Sequence, residues 1–245
     1  MAIKIEKLFR LIRLGSDYDG GYLVCPKSVL SAACLISIGV DTNWEFEKAF
    51  LKQNPKAEIY CFDGQTSFKK TLIFFISQII KTIAFRKEYL LLKRGFRNIF
   101  EYHSLLKKRL NFQKINIGLK GGLRLEEILL NKNKIFLKID IEGSEYRILD
   151  TISKFEDKIE GLVVEFHDYD LHKKKIQGFI SKFSLKLVYV SVNEVGNFNI
   201  NNFPLVIEAS FSRKPEIESK AFSTHKLDRP SNAKNELVSL DKVKL

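Results

Sequence analysis

Cysteine is scarce in this 245-residue chain: Cys25, Cys34 and Cys61 are all it has. They show no metal-ligand spacing, and an odd count suits no disulfide framework, so reduced, partly buried thiols in a cytoplasmic protein are expected. Long apolar runs are missing as well. The most apolar stretch, residues 72–85, contains Gln78 and Lys81 and falls short of the roughly 20 residues a transmembrane helix needs. The first ten residues interrupt their apolar positions with charge, so no secretory signal and no export are expected. No internal repeat is visible. A glycine-rich nucleotide loop is also lacking: a dinucleotide site calls for Gly-x-Gly-x-x-Gly, whereas the run Ile36–Asp41 offers Gly39 alone, with Asp41 where another glycine would fall. That argues against nicotinamide binding.

Basic charge, by contrast, is abundant. The formal net charge is +12, which favours anionic partners such as nucleic acid, phosphorylated glycans or an acidic membrane surface without bearing on fold. Most of the excess is local. Residues 66–112 hold eleven lysines and arginines against Glu88 and Glu101, interleaved with apolar positions at helical spacing. The stretch reads as a basic helical insertion or lid, packed on its own domain or set against a membrane interface. Residues 213–245 are polar, carry Pro215 and Pro230, and read as a surface tail. The remainder, 1–212, is long enough for one α/β domain with a full core.

Strand signals recur along that domain, each ending in carboxylates. Residues 35–38 form an apolar run that Gly39 closes, and Thr42 or Asn43 is placed to cap a helix starting near Trp44. Glycine at such a strand end lets a ligand approach the backbone. Glu58–Asp63 reads as the second strand, with Asp63 placed to accept both hydroxyls of a ribose. Ile135–Ile139 is apolar almost throughout, as in a strand buried on both faces, and passes through Asp140 and Glu142 into a helix expected over Gly143–Leu149. Glu160–His167 repeats the pattern with Glu165, His167 and Asp168 at its end. Residues 185–192 and 205–211 read as two last strands. An edge strand is expected over Lys114–Leu119, and a short amphipathic helix over residues 3–13. The order predicts a mostly parallel sheet of about seven strands with helices on both faces.

The segment Leu137-Lys-Ile-Asp-Ile-Glu-Gly-Ser-Glu145 resembles the signature of FkbM-type methyltransferases, which use S-adenosyl-L-methionine and often methylate sugar hydroxyls. Four further blocks extend the resemblance in family order: Arg13-Leu-Gly-Ser-Asp-Tyr-Asp-Gly-Gly-Tyr-Leu-Val24, Ile36–Asp41 with Trp44–Glu47, Val164–His167 and Pro204–Glu208. The resemblance implies a Rossmann-like class I methyltransferase fold with its last strand inserted antiparallel. It also implies a cofactor site at Gly20, Gly21, Tyr22, Gly39, Asp41, Asp63 and Asp140.

A hydroxyl acceptor must lose its proton, and His167, with an ordinary pKa near neutrality, is the first candidate base. Asp140, Glu142 and Glu165 are the competing catalytic groups. The same carboxylates with His167 form an oxygen-rich set that could hold a divalent cation such as magnesium. The expected acceptor is a sugar, polysaccharide or lipid-linked glycan. The alternatives are an RNA methyltransferase, or a non-catalytic nucleic-acid- or membrane-binding module on the same scaffold.

Overall fold

The computed structural model describes residues 5, 7–17, 19–41, 43–64, 76, 110–193, 198–220, 227 and 229–230. The basic insertion expected over 66–112 therefore lies outside the described residues, apart from Ile76 and 110–112, as does nearly all of the tail beyond 220.

Eleven strands and five α-helices are described, and seven of the strands make the central sheet. In chain order these seven are β4 (Cys34–Ile38), β5 (Glu58–Phe62), β6 (Leu110–Gln113), β7 (Ile135–Ile139), β8 (Ile159–Phe166), β9 (Lys186–Val192) and β10 (Ile207–Ser212). Their spatial order is β6-β5-β4-β7-β8-β10-β9. The pairs from β6 to β8 are parallel, and β10 enters antiparallel between β8 and β9. This is the strand order of the Rossmann-like class I methyltransferase fold, including the antiparallel last strand. The chain winds outward from β4 to β6 and then returns to β7 on the other side of β4. Such a reversal leaves a crevice at the carboxyl ends of the two central strands.

Alternation along the central strands supplies two cores. Leu35, Ile59, Phe136 and Val163 face α1 (Pro26–Ser31) and α2 (Glu45–Gln53), where Val29, Phe46 and Phe50 are buried. Ile36, Leu137, Leu162 and Val164 face the other side, against α3 (Leu125–Leu129), α4 (Leu149–Lys154) and α5 (Tyr169–Lys182). Every residue of β4 and of β7 is buried, as a parallel strand covered on both faces requires. The three cysteines are buried and unpaired. A fully buried large apolar side chain contributes about 1.5–3 kcal/mol, so a core of this size needs no covalent cross-link.

Three local expectations are corrected. Residues 3–13 do not form the expected helix where described: Lys7–Phe9 is β1 and Ile12–Gly15 is β2. β1 pairs antiparallel with β11 (Ile217–Lys220), and β2 pairs with β3 (Gly21–Val24) across the tight turn that Gly15 and Gly20 make at positive φ. The edge strand is Leu110–Gln113 rather than Lys114–Leu119, because only the earlier segment aligns with β5, from Ile59 opposite Leu110 to Phe62 opposite Gln113. Gly143–Leu149 is not a continuous helix. Glu142 and Gly143 turn at positive φ, Glu145–Arg147 makes one 3-10 turn, and the α-helix starts only at Leu149. Among the described residues no helix is long and apolar enough to cross a membrane.

Candidate active site

The carboxyl ends of β4, β5 and β7, with the loop after β6, enclose a cavity of about 250 Å³. Phe62, Ile115, Ile117 and Leu119 give it an apolar wall, and Asp41, Asp63, Asn116 and Asp140 a polar one. Asp63 Oδ2 accepts the backbone amides of Val40 at 3.1 Å and of Asp41 at 2.8 Å. The residue therefore holds the loop after β4 in place as well as lining the cavity. Asp41 has φ 45, so it adopts the left-handed conformation that glycine supplies in glycine-rich loops and that aspartate tolerates better than most residues. Gly39, at φ 78, lines the cavity, and a Cβ there would lie 1.5 Å from the Asp140 carbonyl oxygen. The ends of β4 and β7 touch backbone to backbone. The N-cap position of α2 falls on Trp44, which makes no side-chain cap bond, rather than on Asn43; Asn43, one residue earlier, accepts the Glu45 amide at 3.2 Å through Oδ1, and Thr42 lies outside the described residues.

Asp140 joins this cavity to a second group of side chains. The Tyr22 hydroxyl lies 3.2 Å from Glu165 Oε2 and 3.4 Å from Asp140 Oδ2 and shares its single proton between them. Asn193 donates to Glu165 Oε1 at 2.9 Å. His167 Nδ1 donates to Glu145 Oε1 at 2.9 Å, while Nε2 lies 3.4 Å from Glu142 Oε2 and 3.8 Å from Glu165 Oε1. Glu145 is fully buried, and its Oε1 also accepts the amides of Ile141 and Gly143. Glu142 is the exposed member, with 81% of its side chain accessible. Tyr146 donates to the His167 carbonyl oxygen, tying the 3-10 turn to the end of β8.

Lys138, inside β7, is a buried cation. Its ammonium donates to the Gly39 carbonyl at 2.9 Å and lies 3.9 Å from Asp140 Oδ2. A lysine within a strand covered on both faces needs such partners. It holds the crossing of β4 and β7 and supplies positive charge beside the carboxylates.

Burial and mutual repulsion govern protonation here. Burial raises the Glu165 carboxyl, the Asp140 charge raises it further, and it reaches about 8. Asp140 is raised by burial against the opposing pull of Lys138 and His167. Burial alone would lower the His167 imidazole, but the hydrogen bond and charge of Glu145, with Glu165 and Asp140 behind them, outweigh it and bring the ring to about 9. The Tyr22 hydroxyl is pushed well above its ordinary value by burial and by the charges of Asp140 and Glu165. Near neutral pH the cluster thus retains protons that isolated carboxylates would have lost.

The structure accordingly brings together Tyr22, Asp140, Glu142, Glu165 and His167 in one cluster, and Gly39, Asp41, Asp63 and Asp140 around the cavity. Gly20 and Gly21 do not line the cavity; a Cβ on Gly20 would strike the Asn43 side chain, and one on Gly21 the Ser16 carbonyl. They place the β2–β3 hairpin so that the Tyr22 hydroxyl reaches the carboxylates. Sequence reading did not single out Lys138 or Asn193, and did not include Glu145 among the candidate catalytic groups.

No protein-family model and no curated protein matches the sequence. Among solved structures the chain is similar to an rRNA methylase from Streptococcus thermophilus, at 12% identity, covering 76% of this chain and 92% of that one, with a TM-score of 0.41. It is also similar to a fibrillarin/Nop5p complex, at 11% identity, 82% and 90% coverage and a TM-score of 0.42. A third is an O-methyltransferase family protein from Burkholderia thailandensis, at 11% identity, 76% and 52% coverage and a TM-score of 0.39. Likeness of this degree says nothing of activity or substrate, and the strand order carries the fold assignment on its own.

Proposed function

We propose that this chain is an S-adenosyl-L-methionine-dependent methyltransferase of the FkbM type that methylates a hydroxyl of a sugar, polysaccharide or lipid-linked glycan. The observation that carries the reading is that the cavity and the proton-retaining cluster share a wall, since Asp140 and Glu142 belong to both. Bound there, the cofactor would supply an electrophilic methyl group on a sulfonium. The cavity suits it: the apolar wall of Phe62, Ile115, Ile117 and Leu119 fits an adenine, and Asp63, at the end of β5, is where a ribose needs an acceptor. Four of the five blocks that resemble the family fall on this region, as the β2–β3 hairpin, the loop after β4, the end of β7 and the end of β8, and the fifth, Pro204–Glu208, enters β10 opposite Phe166 and Glu165.

Alignment and exclusion of water do most of the work of such a displacement, while a hydroxyl acceptor still has to give up a proton. Asp140, which borders the cavity, is placed to take it; Glu165 and His167 hold their own protons up to about 8 and 9 and become acceptors only above those values, with Glu145 fixing the imidazole and Tyr22 and Asn193 fixing the Glu165 carboxyl group. The carboxylates on this side of the cavity repel a phosphodiester backbone and suit a neutral polyhydroxylated acceptor better than RNA.

Calorimetry with S-adenosyl-L-methionine and S-adenosylhomocysteine tests the cofactor, and transfer of a radiolabelled methyl group to glycan, lipid, protein and RNA fractions tests the acceptor. Binding of both ligands with label in the glycan or lipid-linked glycan fraction is expected. Failure of folded protein to bind either ligand refutes the methyltransferase reading, and label confined to RNA refutes the acceptor class.

A further inference from the structure

The geometry points to a divalent-cation site formed by Asp140, Glu165 and His167, an inference that rests on the methyltransferase reading only for its use. One ligand atom from each residue falls within a group whose members all lie within 4.8 Å of one another. Two ligands on opposite sides of Ca²⁺ stand about 4.6–5.2 Å apart, and around Mg²⁺ about 4.0–4.2 Å. The cluster thus has the span of a single coordination sphere, and closing on the smaller ion needs movements of a few tenths of an ångström. Two carboxylates with one imidazole suit Mn²⁺ and Mg²⁺ better than the softer metals that thiolates select.

The surroundings are those of a ligand set rather than of solvated acidic groups. A metal-bound imidazole typically donates its other ring N–H to a carboxylate, which fixes the ring and its tautomer. Glu145 does this for His167: it is fully buried, its Oε1 is pinned by two backbone amides, and Nδ1 donates to it, which turns Nε2 toward the carboxylates. Both oxygens of Glu165 are likewise fixed, one by Asn193 and the other by the Tyr22 hydroxyl, which also reaches Asp140. Among the described residues the only lysine or arginine within 4 Å of Asp140, Glu142, Glu145 or Glu165 is Lys138. Three protein ligands leave further positions for water or for acceptor oxygens, on the side where Asp140 borders the cavity. A hydroxyl held there would be acidified by the ion, with His167 acting as a ligand to it.

The test is titration of Mn²⁺ into the full chain without cofactor, followed by the loss of the free-ion electron paramagnetic resonance signal, with Mg²⁺ as competitor and S-adenosylhomocysteine calorimetry on the same samples. One Mn²⁺ per chain is expected, displaced by Mg²⁺. It should be lost in His167→Ala, in His167→Gln and in Glu165→Gln, and held 10- to 100-fold more weakly in Glu145→Gln, which acts only through the ring. A thermal melt of each variant identifies any that has not folded. No stoichiometric Mn²⁺ binding up to about 1 mM, the weak end of protein cation sites, while S-adenosylhomocysteine still binds, overturns the cation site and leaves the methyltransferase reading standing. Equal Mn²⁺ affinity in the folded His167 and Glu165 variants also overturns it. Mn²⁺ binding that behaves as expected without any S-adenosylhomocysteine binding keeps the site and refutes the methyltransferase reading.

Discussion

The protonation of His167 can be followed in the folded protein by itself. In metal-free buffer the ring is expected to titrate near 9, against an ordinary value of 6.5. At 1.36 kcal/mol per unit this is about 3 kcal/mol of interaction favouring the imidazolium. Because the folded-state pKa is raised above the unfolded one, that contribution is complete below about pH 6.5 and is lost as the pH rises through 9. Glu165 acts in the same direction: its carboxyl is raised from 4.5 to about 8, so the folded state holds that proton more tightly and loses stability as the pH rises across that interval. Denaturant unfolding in the presence of a chelator should therefore show stability falling between pH 6.5 and 9, by up to about 1.4 kcal/mol per pH unit for the histidine. His167→Gln should flatten the upper part of the slope and Glu165→Gln the lower part. Ring resonances, assigned by their absence from His167→Gln, report the pKa directly, and Glu145→Gln should bring it down. A wild-type His167 titrating at or below 6.5 would refute the electrostatic account of the cluster, and with it the claim that Glu145 outweighs burial.

Two further outcomes are expected. Asp63→Ala should weaken S-adenosylhomocysteine binding by on the order of 2–3 kcal/mol, since the amides of Val40 and Asp41 lose their acceptor along with any ribose contact; unchanged affinity by calorimetry would place the ribose elsewhere. Gly39→Ala should cost roughly 2–4 kcal/mol in a thermal or denaturant melt, through its clash with the Asp140 carbonyl and its positive φ, even without cofactor; a melt like that of the parent chain would show that the crossing of β4 and β7 is looser than described.

Four of the five parallel strands were legible because burial on both faces leaves little room for polar residues before the strand ends, so 35–38, 58–62, 135–139 and 159–166 announce themselves and the carboxylates mark the cleft; the edge strand β6, with Asn111 and Gln113 exposed, does not. Pairing between distant segments leaves no such mark. β1 is three residues long and takes its partner from the opposite end of the chain, so its local pattern of apolar and charged residues fitted a helix equally well. The helix expected from Gly143 failed because Glu145 is drawn inward to orient His167, which shapes residues 142–147 into a turn. Asp41, Glu142 and Asp168 end β4, β7 and β8 in the left-handed conformation, a demand that an acidic residue does not advertise as a glycine would. Lys138 was the signal passed over. A charge in the middle of a strand buried on both faces must have a fixed partner, and the sequence displays one.

The β1–β11 ribbon also bears on how the protein folds. Its two strands come from opposite ends of the described chain, with Lys7 opposite Lys220, so joining them closes a loop that contains the whole central sheet. Loop closure of this span is entropically unfavourable until the sheet has already drawn its ends together. The ribbon is thus expected to zip last and open first, a latch whose amides should exchange with solvent well before those of β4 and β7.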